Sequence, residues 1–164
     1  YTPYEIRSIS ALIVMGERQK AFEMLKYFQT VKRPRAWNHW AEVVFSGYRH
    51  PQYLGDMPHT WIGAEYICAV RNVFVYEDGG KLVLGAGIPR EWTDSGKPIK
   101  AEKMPTYFGD ISYTMKPYAK GLKLEVRGKA KPPEGFLFRD PRTGKEFTFN
   151  KLPANIVISG KGDE

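Results

Sequence analysis

The stretch Asp78-Gly79-Gly80 divides the sequence into two halves with different hydrophobic patterns. Before it, apolar residues recur at helical spacing, as in the series Ile6, Ile9 and Ile13. After it, they alternate with polar residues, most strictly over Leu122-Lys123-Leu124-Glu125-Val126-Arg127. Alternation with a period of two is typical of an antiparallel sheet that has one packed face and one solvated face. We therefore predict an α+β chain, with a helical segment over residues 1–78 and a small antiparallel β-sandwich over residues 79–164.

The first half is predicted to form a helical hairpin followed by a third helix. Thr2 is expected to cap the first helix, with Pro3 in its first turn and Glu5 completing a capping box. Gly16 is placed to end this helix. The apolar face of the second helix is predicted to consist of Ala21, Met24, Leu25 and Phe28.

The third helix should open around Asp56-Met57-Pro58. Apolar residues cover most of its circumference, so we expect it to be buried on more than one side, with Cys68 on a packed face.

Short runs of alternating residues between turn signals predict the strands of the second half. They are residues 81–86, 99–103, 111–116, 122–127, 136–139, 146–149 and 156–159.

Composition excludes several classes of protein. The chain has 164 residues, 14% of them aromatic, and this aromatic content argues against intrinsic disorder. No stretch approaches the roughly 18 to 20 consecutive apolar residues of a membrane-spanning helix. Cys68 is the single cysteine, so the chain can have no internal disulfide framework and no cysteine-based zinc site.

Residues 31–60 contain an unusual density of aromatic and ionisable side chains for a connection between helices. Long ordered loops of this kind often carry function. The segment Trp37-Asn38-His39-Trp40-Ala41-Glu42 combines a carboxylate with flat rings, which is the combination that sugar-active sites use. An equally weighted interpretation makes Trp37 and Trp40 core residues and places Glu42 on a solvated face. Arg49 is a further candidate for contact with a hydroxyl or an acidic group.

The segment from Asp56 to Trp61 is the second candidate group. Asp56 is interpreted as a cap of the following helix in preference to a catalytic role. His59 could hydrogen-bond a sugar hydroxyl or a carboxylate, although a structural histidine is the commoner outcome. Glu65, on the apolar third helix, would need a cationic partner such as Arg71 or a loop arginine.

Other chemistries find little support in the sequence. His39, His50 and His59 do not have metal-ligand spacing, and no nucleotide-binding fingerprint is present, so we predict neither a metal site nor a cofactor. The formal charge of +7 raises the question of nucleic acid, but no RNA-binding signature accompanies it. The lysines of the second half are better explained as solvated residues on strands, and the charge is compatible with an acidic polysaccharide.

The order of these motifs resembles the C-terminal end of six-hairpin (α/α) toroid glycosidases of the glucoamylase and glycoside phosphorylase type. The residues that carry the resemblance are a helical hairpin, the Asn38-His39-Trp40-Ala41-Glu42 loop, Gly55-Asp56-Met57-Pro58-His59-Thr60-Trp61 opening an apolar helix, and the strand segment Pro132-Pro133-Glu134-Gly135-Phe136-Leu137-Phe138-Arg139. The resemblance implies that residues 1–78 are the end of a toroid and that residues 79–164 are its C-terminal β-sandwich. We accordingly expect the chain to be a piece of a larger protein.

The same resemblance implies a function and its residues. In such enzymes a glutamate shortly before this helix is the general base, which here would be Glu42, and the general acid comes from an earlier hairpin outside the chain. Asp56 and His59 replace the asparagine and glutamine that are usual in the family. The substrate-binding candidates are Trp37, Asn38, His39, Trp40, Arg49, Asp56, His59 and Trp61.

The resemblance and the composition together leave three hypotheses. The first is an inverting glycoside hydrolase acting on an oligo- or polysaccharide, inactive as this piece alone. The second is a non-catalytic carbohydrate-binding or accessory module. The third is a structural chain that completes the helical barrel of another chain. None of them requires a membrane or a nucleic acid.

Overall fold

The computed structural model describes residues 1–32, 35–43, 55–119 and 121–159 of the chain. Over these residues the chain is an α+β protein, as predicted, and it divides into two compact units, Tyr1–Val73 and Phe74–Glu164. The boundary predicted from the sequence, after residue 78, lies slightly later in the chain. None of the helices in the described ranges is long and apolar enough to cross a membrane.

The first unit contains helices α1 (Thr2–Val14), α2 (Arg18–Thr30) and α3 (Thr60–Phe74), and a short 3-10 helix (Arg35–Trp37). The hairpin of α1 and α2 is present, and the two helices pack together. Gly16 joins them with a φ of 83°, a left-handed conformation that favours glycine. Ile6, Ile9 and Ile13 are fully buried, which confirms the predicted apolar face of α1.

The start of α1 differs from the prediction. Its N-cap is Tyr1, and no side chain caps it. The Thr2 hydroxyl instead donates to the Ala41 carbonyl at 2.8 Å, and Thr2 itself is buried. The predicted capping box is therefore wrong, and Thr2 serves to hold a distant loop.

Helix α3 is less buried than its composition predicted. Its buried residues are Ile62, Ala69 and Val73. Ile67 is 68% exposed, and Cys68 is exposed as well. Tyr66 and Trp61 on other faces of α3 are half-buried against Trp40 and Tyr4, so burial outside the face of Ile62, Ala69 and Val73 is partial. The expectation that Cys68 lies on a packed face is wrong.

The second unit consists of eight described strands in two sheets, with a short helix α4 (Arg90–Asp94) between the second and third strands. The strands are β1 (Val75–Asp78), β2 (Lys81–Leu84), β3 (Ile99–Met104), β4 (Ile111–Tyr118), β5 (Gly121–Gly128), β6 (Phe136–Arg139), β7 (Glu146–Phe149) and β8 (Ala154–Ile158). One sheet has the order β1-β2-β6-β7 and the other has the order β3-β4-β5-β8.

Burial follows the predicted alternation most clearly in β4 and β5. In β5, Leu122, Leu124 and Val126 are buried and the residues between them are partly exposed. The pairing is antiparallel except between β2 and β6, where Leu82 lies opposite Phe136 in a parallel register. The first sheet is therefore mixed, whereas the sequence predicted antiparallel pairing throughout.

The phenol of Tyr113 lies in the core of the second unit. It is 2% exposed, and its hydroxyl donates to the Phe74 carbonyl at 2.9 Å. Burial raises the pKa of Tyr113 far above its usual value, so the phenol stays neutral and keeps its donor proton.

A buried ion pair closes the turn between β6 and β7. Asp140 has no exposed surface, and its carboxylate accepts from Arg142 Nε at 3.1 Å and Nη2 at 2.8 Å. The Arg142 backbone N–H also donates to Asp140 at 2.9 Å. Burial alone would raise the pKa of Asp140, but the hydrogen bonds from Arg142 hold that pKa below its usual range.

Candidate functional site

The loop that carries Glu42 is attached to the start of α1. The Thr2 backbone N–H donates to the Glu42 carbonyl at 3.0 Å, and the Thr2 hydroxyl bonds to the neighbouring Ala41. Ala41 is fully buried. These contacts fix the backbone on either side of the Glu42 side chain, so its carboxylate is presented from an anchored position.

Glu42 and His59 come together in the structure. The distance from His59 Nε2 to Glu42 Oε1 is 3.8 Å, and the Glu42 and His59 side chains are 28% and 17% exposed. The contact becomes an ion pair when the imidazole is protonated. A carboxylate that is anchored but still reachable by solvent can accept a proton from a water molecule.

Gly55 lies directly against the Glu42 carboxylate. A Cβ atom at position 55 would come within 3.1 Å of both Cβ and Oε2 of Glu42, which is tighter than ordinary van der Waals contact. The glycine therefore lets the backbone approach the carboxylate closely.

The other nitrogen of the His59 ring, Nδ1, is buried and has no hydrogen-bond partner among the described residues. A buried polar atom without a partner is costly in a folded protein. His59 immediately precedes α3, so the start of that helix sets the position of its ring.

Trp61 connects this pair to an ion pair between α1 and α3. Its ring centroid is 6.1 Å from that of His59, and its Nε1–H donates to Glu65 Oε1 at 2.8 Å. The same oxygen accepts from Arg7 Nε at 2.9 Å and from Arg7 Nη2 at 2.5 Å. The hydrogen bonds from Arg7 lower the pKa of Glu65, so this carboxylate is held in its charged form.

Two residues of this group were not singled out in the sequence, Tyr4 and Arg7. The Tyr4 ring meets the Trp61 ring edge-on with centroids 5.1 Å apart, and Tyr4 is 55% exposed. The Arg7 guanidinium lies 5.8 Å from the Tyr4 ring and 5.5 Å from the Trp61 ring. The sequence does show that Tyr4 and Arg7 lie on the exposed side of α1, between the buried isoleucines. It does not show that they contact α3, because that contact depends on how the two helices pack.

Trp37 and Trp40 have different environments. Trp40 is 5% exposed, its indole N–H donates to the Phe28 carbonyl at 2.6 Å, and its ring packs 4.8 Å from that of Tyr66. This position matches the interpretation of Trp40 as a core residue. Trp37 is 59% exposed, so its ring is accessible to a ligand.

The remaining candidates make local contacts. The Trp40 backbone N–H donates to His39 Nδ1 at 2.8 Å, and Asn38 accepts from Lys32 Nζ at 2.8 Å with a left-handed φ of 51°. Asp56 is exposed. Arg49 lies outside the described residues, so the structure does not place it relative to the others.

The described residues contain no group of three or more His, Cys, Asp or Glu side chains that could hold a metal ion. The sequence matches no protein-family model, and no curated protein or solved structure is significantly similar to it. The resemblance to toroid glycosidases therefore stays a prediction from the motifs.

Proposed function

We propose that this chain is the C-terminal portion of a carbohydrate-active enzyme, an inverting glycoside hydrolase in which Glu42 is the general base. The observation that supports the proposal best is the 3.8 Å approach of His59 to a Glu42 carboxylate that remains 28% exposed. The close contact of Gly55 with the same carboxylate adds to it. The general acid would lie outside this chain.

The proposed reaction assigns a role to each residue near Glu42. Glu42 takes a proton from the water that attacks the anomeric carbon, while the acid protonates the leaving oxygen from about 6.5–9.5 Å away. His59 would orient either the Glu42 carboxylate or a sugar hydroxyl. Trp61, and the exposed ring of Trp37, would contact the apolar faces of sugar rings.

The exposed apolar residues of the first unit support the idea that further helices complete it. Within the described residues of this unit the large exposed apolar side chains are Tyr1, Tyr4, Val14, Met15, Tyr27, Trp37 and Ile67. Tyr1 and Tyr4 lie together, with ring centroids 6.1 Å apart, and exposed apolar groups that lie together are typical of surfaces that another element covers. In the proposal these elements are the rest of the toroid, in the same protein or in another chain, and a purely structural partner chain would show the same exposure.

A non-catalytic carbohydrate-binding module is the second candidate function. The arrangement of Tyr4, Trp61 and Arg7 favours it, because two aromatic rings and a 53% exposed guanidinium lie together without need of a general acid. In this case the neutral or acidic glycan would bind to the chain by itself.

The first experiment replaces Glu42 by glutamine in the complete protein that contains this chain. Release of reducing sugar is measured on neutral and uronic acid oligosaccharides, and proton NMR follows the anomeric configuration of the first product. General base catalysis contributes typically about 10²- to 10⁴-fold, so Glu42→Gln should lower kcat at least 100-fold with little change in thermal stability. The matched control is Glu23→Gln on α2, which should retain normal kcat.

Two outcomes would count against the proposal. Normal kcat in Glu42→Gln would remove Glu42 from the reaction, and retention of configuration would exclude the inverting mechanism. Calorimetric titration of the isolated chain with the same oligosaccharides separates the alternatives. Binding that Glu42→Gln preserves and Trp61→Ala abolishes would indicate the binding module.

A further inference from the structure

The second unit contains a cavity that is lined by residues of this unit alone. Part of its lining is apolar and comes from neighbouring strands of one sheet. Ile99 lies opposite Met115 in the register of β3 and β4, and Pro117 lies opposite Leu122 in the register of β4 and β5. Met115 and Leu122 are buried, so this side of the cavity is formed by core residues.

The ionisable residues that line the same cavity are all cationic: Lys97, Lys116 and Arg142. Lys116 is already engaged, because its Nζ lies 3.1 Å from Glu125. Arg142 is fixed by Asp140 through Nε and Nη2, which leaves further guanidinium N–H donors. Lys97 is exposed and carries the charge that is most available to a ligand.

The size of the cavity limits its occupant. Its volume is about 70 Å³. On this scale one water molecule needs roughly 10–15 Å³, so the cavity has room for about five water-sized groups. A polymer or a sugar ring is too large to enter it completely.

The combination of charge and apolar surface selects the chemical class. An inorganic anion would be placed against apolar side chains that cannot hydrogen-bond it, which is unfavourable. A neutral apolar molecule would gain nothing from the cationic side. A small molecule with an anionic head and a short alkyl tail satisfies both sides of the cavity.

We propose that this cavity binds a short aliphatic carboxylate. The carboxylate lies between Lys97 and Arg142, and the alkyl tail packs on Ile99, Met115, Pro117 and Leu122. In this proposal Lys97 binds the carboxylate, whereas the lysines of the second half were predicted only to be solvated residues on strands. This site is independent of the proposed hydrolase function.

The test is an NMR titration of the full chain with butanoate, observed through the methyl groups of Ile99, Met115 and Leu122. Butan-1-ol and butylammonium are the comparison probes because they have the same alkyl length with no charge or the opposite charge. Butanoate should give saturable shifts at these methyl groups, and both comparison probes should bind at least about 5-fold more weakly, because they lack the charge pairing with both Lys97 and Arg142.

The charge requirement is tested with Lys97→Gln and with Lys100→Gln as its control. Both variants lose one positive charge from the same part of the chain, but position 100 does not line the cavity. Lys97→Gln should weaken butanoate binding about 3- to 5-fold, which is the size expected for one partly exposed charge pair. Lys100→Gln should change it less than about 2-fold, because position 100 does not line the cavity and its exposed charge is screened by salt.

Three results would overturn the proposal. The first is equal affinity for butan-1-ol, which would make the cavity a purely apolar space. The second is an equal loss of affinity in the two lysine variants, which would assign the effect to net charge. The third is a set of shifts that grow linearly without saturation and spread over the lysine-rich surface.

Discussion

Replacing Arg142 by methionine should destabilise the second unit strongly at neutral pH. Methionine keeps much of the length and apolar character of the arginine stem but has no donor for Asp140. In the native turn the Asp140 carboxylate is completely buried and accepts two hydrogen bonds from the Arg142 side chain. The variant would leave a buried carboxylate that keeps its hydrogen bonds from the backbone of position 142 and from the Thr143 side chain but has no cation beside it.

The size of the effect follows from the burial of the pair. Removing one partner of a buried ion pair costs about 3–5 kcal/mol, because the other charge is left uncompensated. The Arg142 side chain is 21% exposed, so water can reach part of the site and the lower end of this range, about 3 kcal/mol, applies.

The loss should also depend on pH in a defined direction. Hydrogen bonds from Arg142 lower the pKa of Asp140 against the opposing effect of burial. The native pair therefore stabilises the fold above the unfolded aspartate pKa of about 3.9, and this contribution is lost as the pH falls through the folded pKa. In the variant the effect of burial on the Asp140 pKa is no longer opposed by the Arg142 side chain, so Asp140 protonates more easily. The difference in free energy of unfolding between the two proteins should therefore shrink towards pH 3.

Urea unfolding at pH 7 and pH 3, followed through NMR signals of β6 and β7, measures the free energy of unfolding of this unit alone. Glu146→Gln is the control, since Glu146 is 49% exposed and pairs with Arg139 at 2.7 Å near the same turn. Its loss should stay below about 1 kcal/mol. A loss below about 1 kcal/mol in Arg142→Met, or one of equal size at both pH values, would refute the assignment of stability to the buried pair.

Two further predictions concern the core and the α1–α3 ion pair. Phe138 is fully buried in β6, so Phe138→Ala should lower the free energy of unfolding by about 3–5 kcal/mol, whereas Tyr107→Ala, at a side chain 90% exposed, should change it by less than about 0.5 kcal/mol. Chemical denaturation of both variants checks this, and equal effects would contradict the assigned core. The Glu65 carboxyl should titrate below the model-peptide value of about 4.3, and Arg7→Met should raise its midpoint, because the hydrogen bonds from Arg7 lower its pKa. Carbon-13 NMR titration measures both midpoints. An unchanged midpoint in Arg7→Met would show that a group other than Arg7 lowers the pKa of Glu65.

The period of the hydrophobic pattern predicted most of the strands because alternate residues of a half-buried strand face the core. The segment from Leu122 to Arg127 became β5 with the expected face buried. Strand β1 was missed, since Val75 and Tyr76 continue the apolar run of α3 and no polar residue separates helix from strand. The parallel pairing of β2 with β6 is non-local, so no local pattern could predict it.

The candidate site was predictable where its residues are close in sequence to a turn or a helix start. Glu42 and His59 were both named as candidates, and the structure brings them within 3.8 Å of each other. Arg7 was missed as the partner of Glu65, because the two lie on different helices and only the packing of α1 and α3 joins them. Thr2 was misassigned for a related reason, since a threonine at a helix start looks like a cap unless a distant carbonyl is known to accept its hydroxyl.

The surroundings of Glu42 distinguish an anchored carboxylate from a glutamate on a solvated face. A solvated glutamate needs no particular backbone beside it, and a methyl group added to a neighbouring residue would meet only water. At Gly55 a Cβ would lie 3.1 Å from the Glu42 carboxylate and 3.3 Å from the Val43 nitrogen, so it would have to displace either the side chain or the loop. In addition, Thr2 holds the backbone at Ala41 and Glu42. These two restraints limit the positions that the carboxylate can adopt. A general base needs such restraint if it is to meet the same water in every turnover.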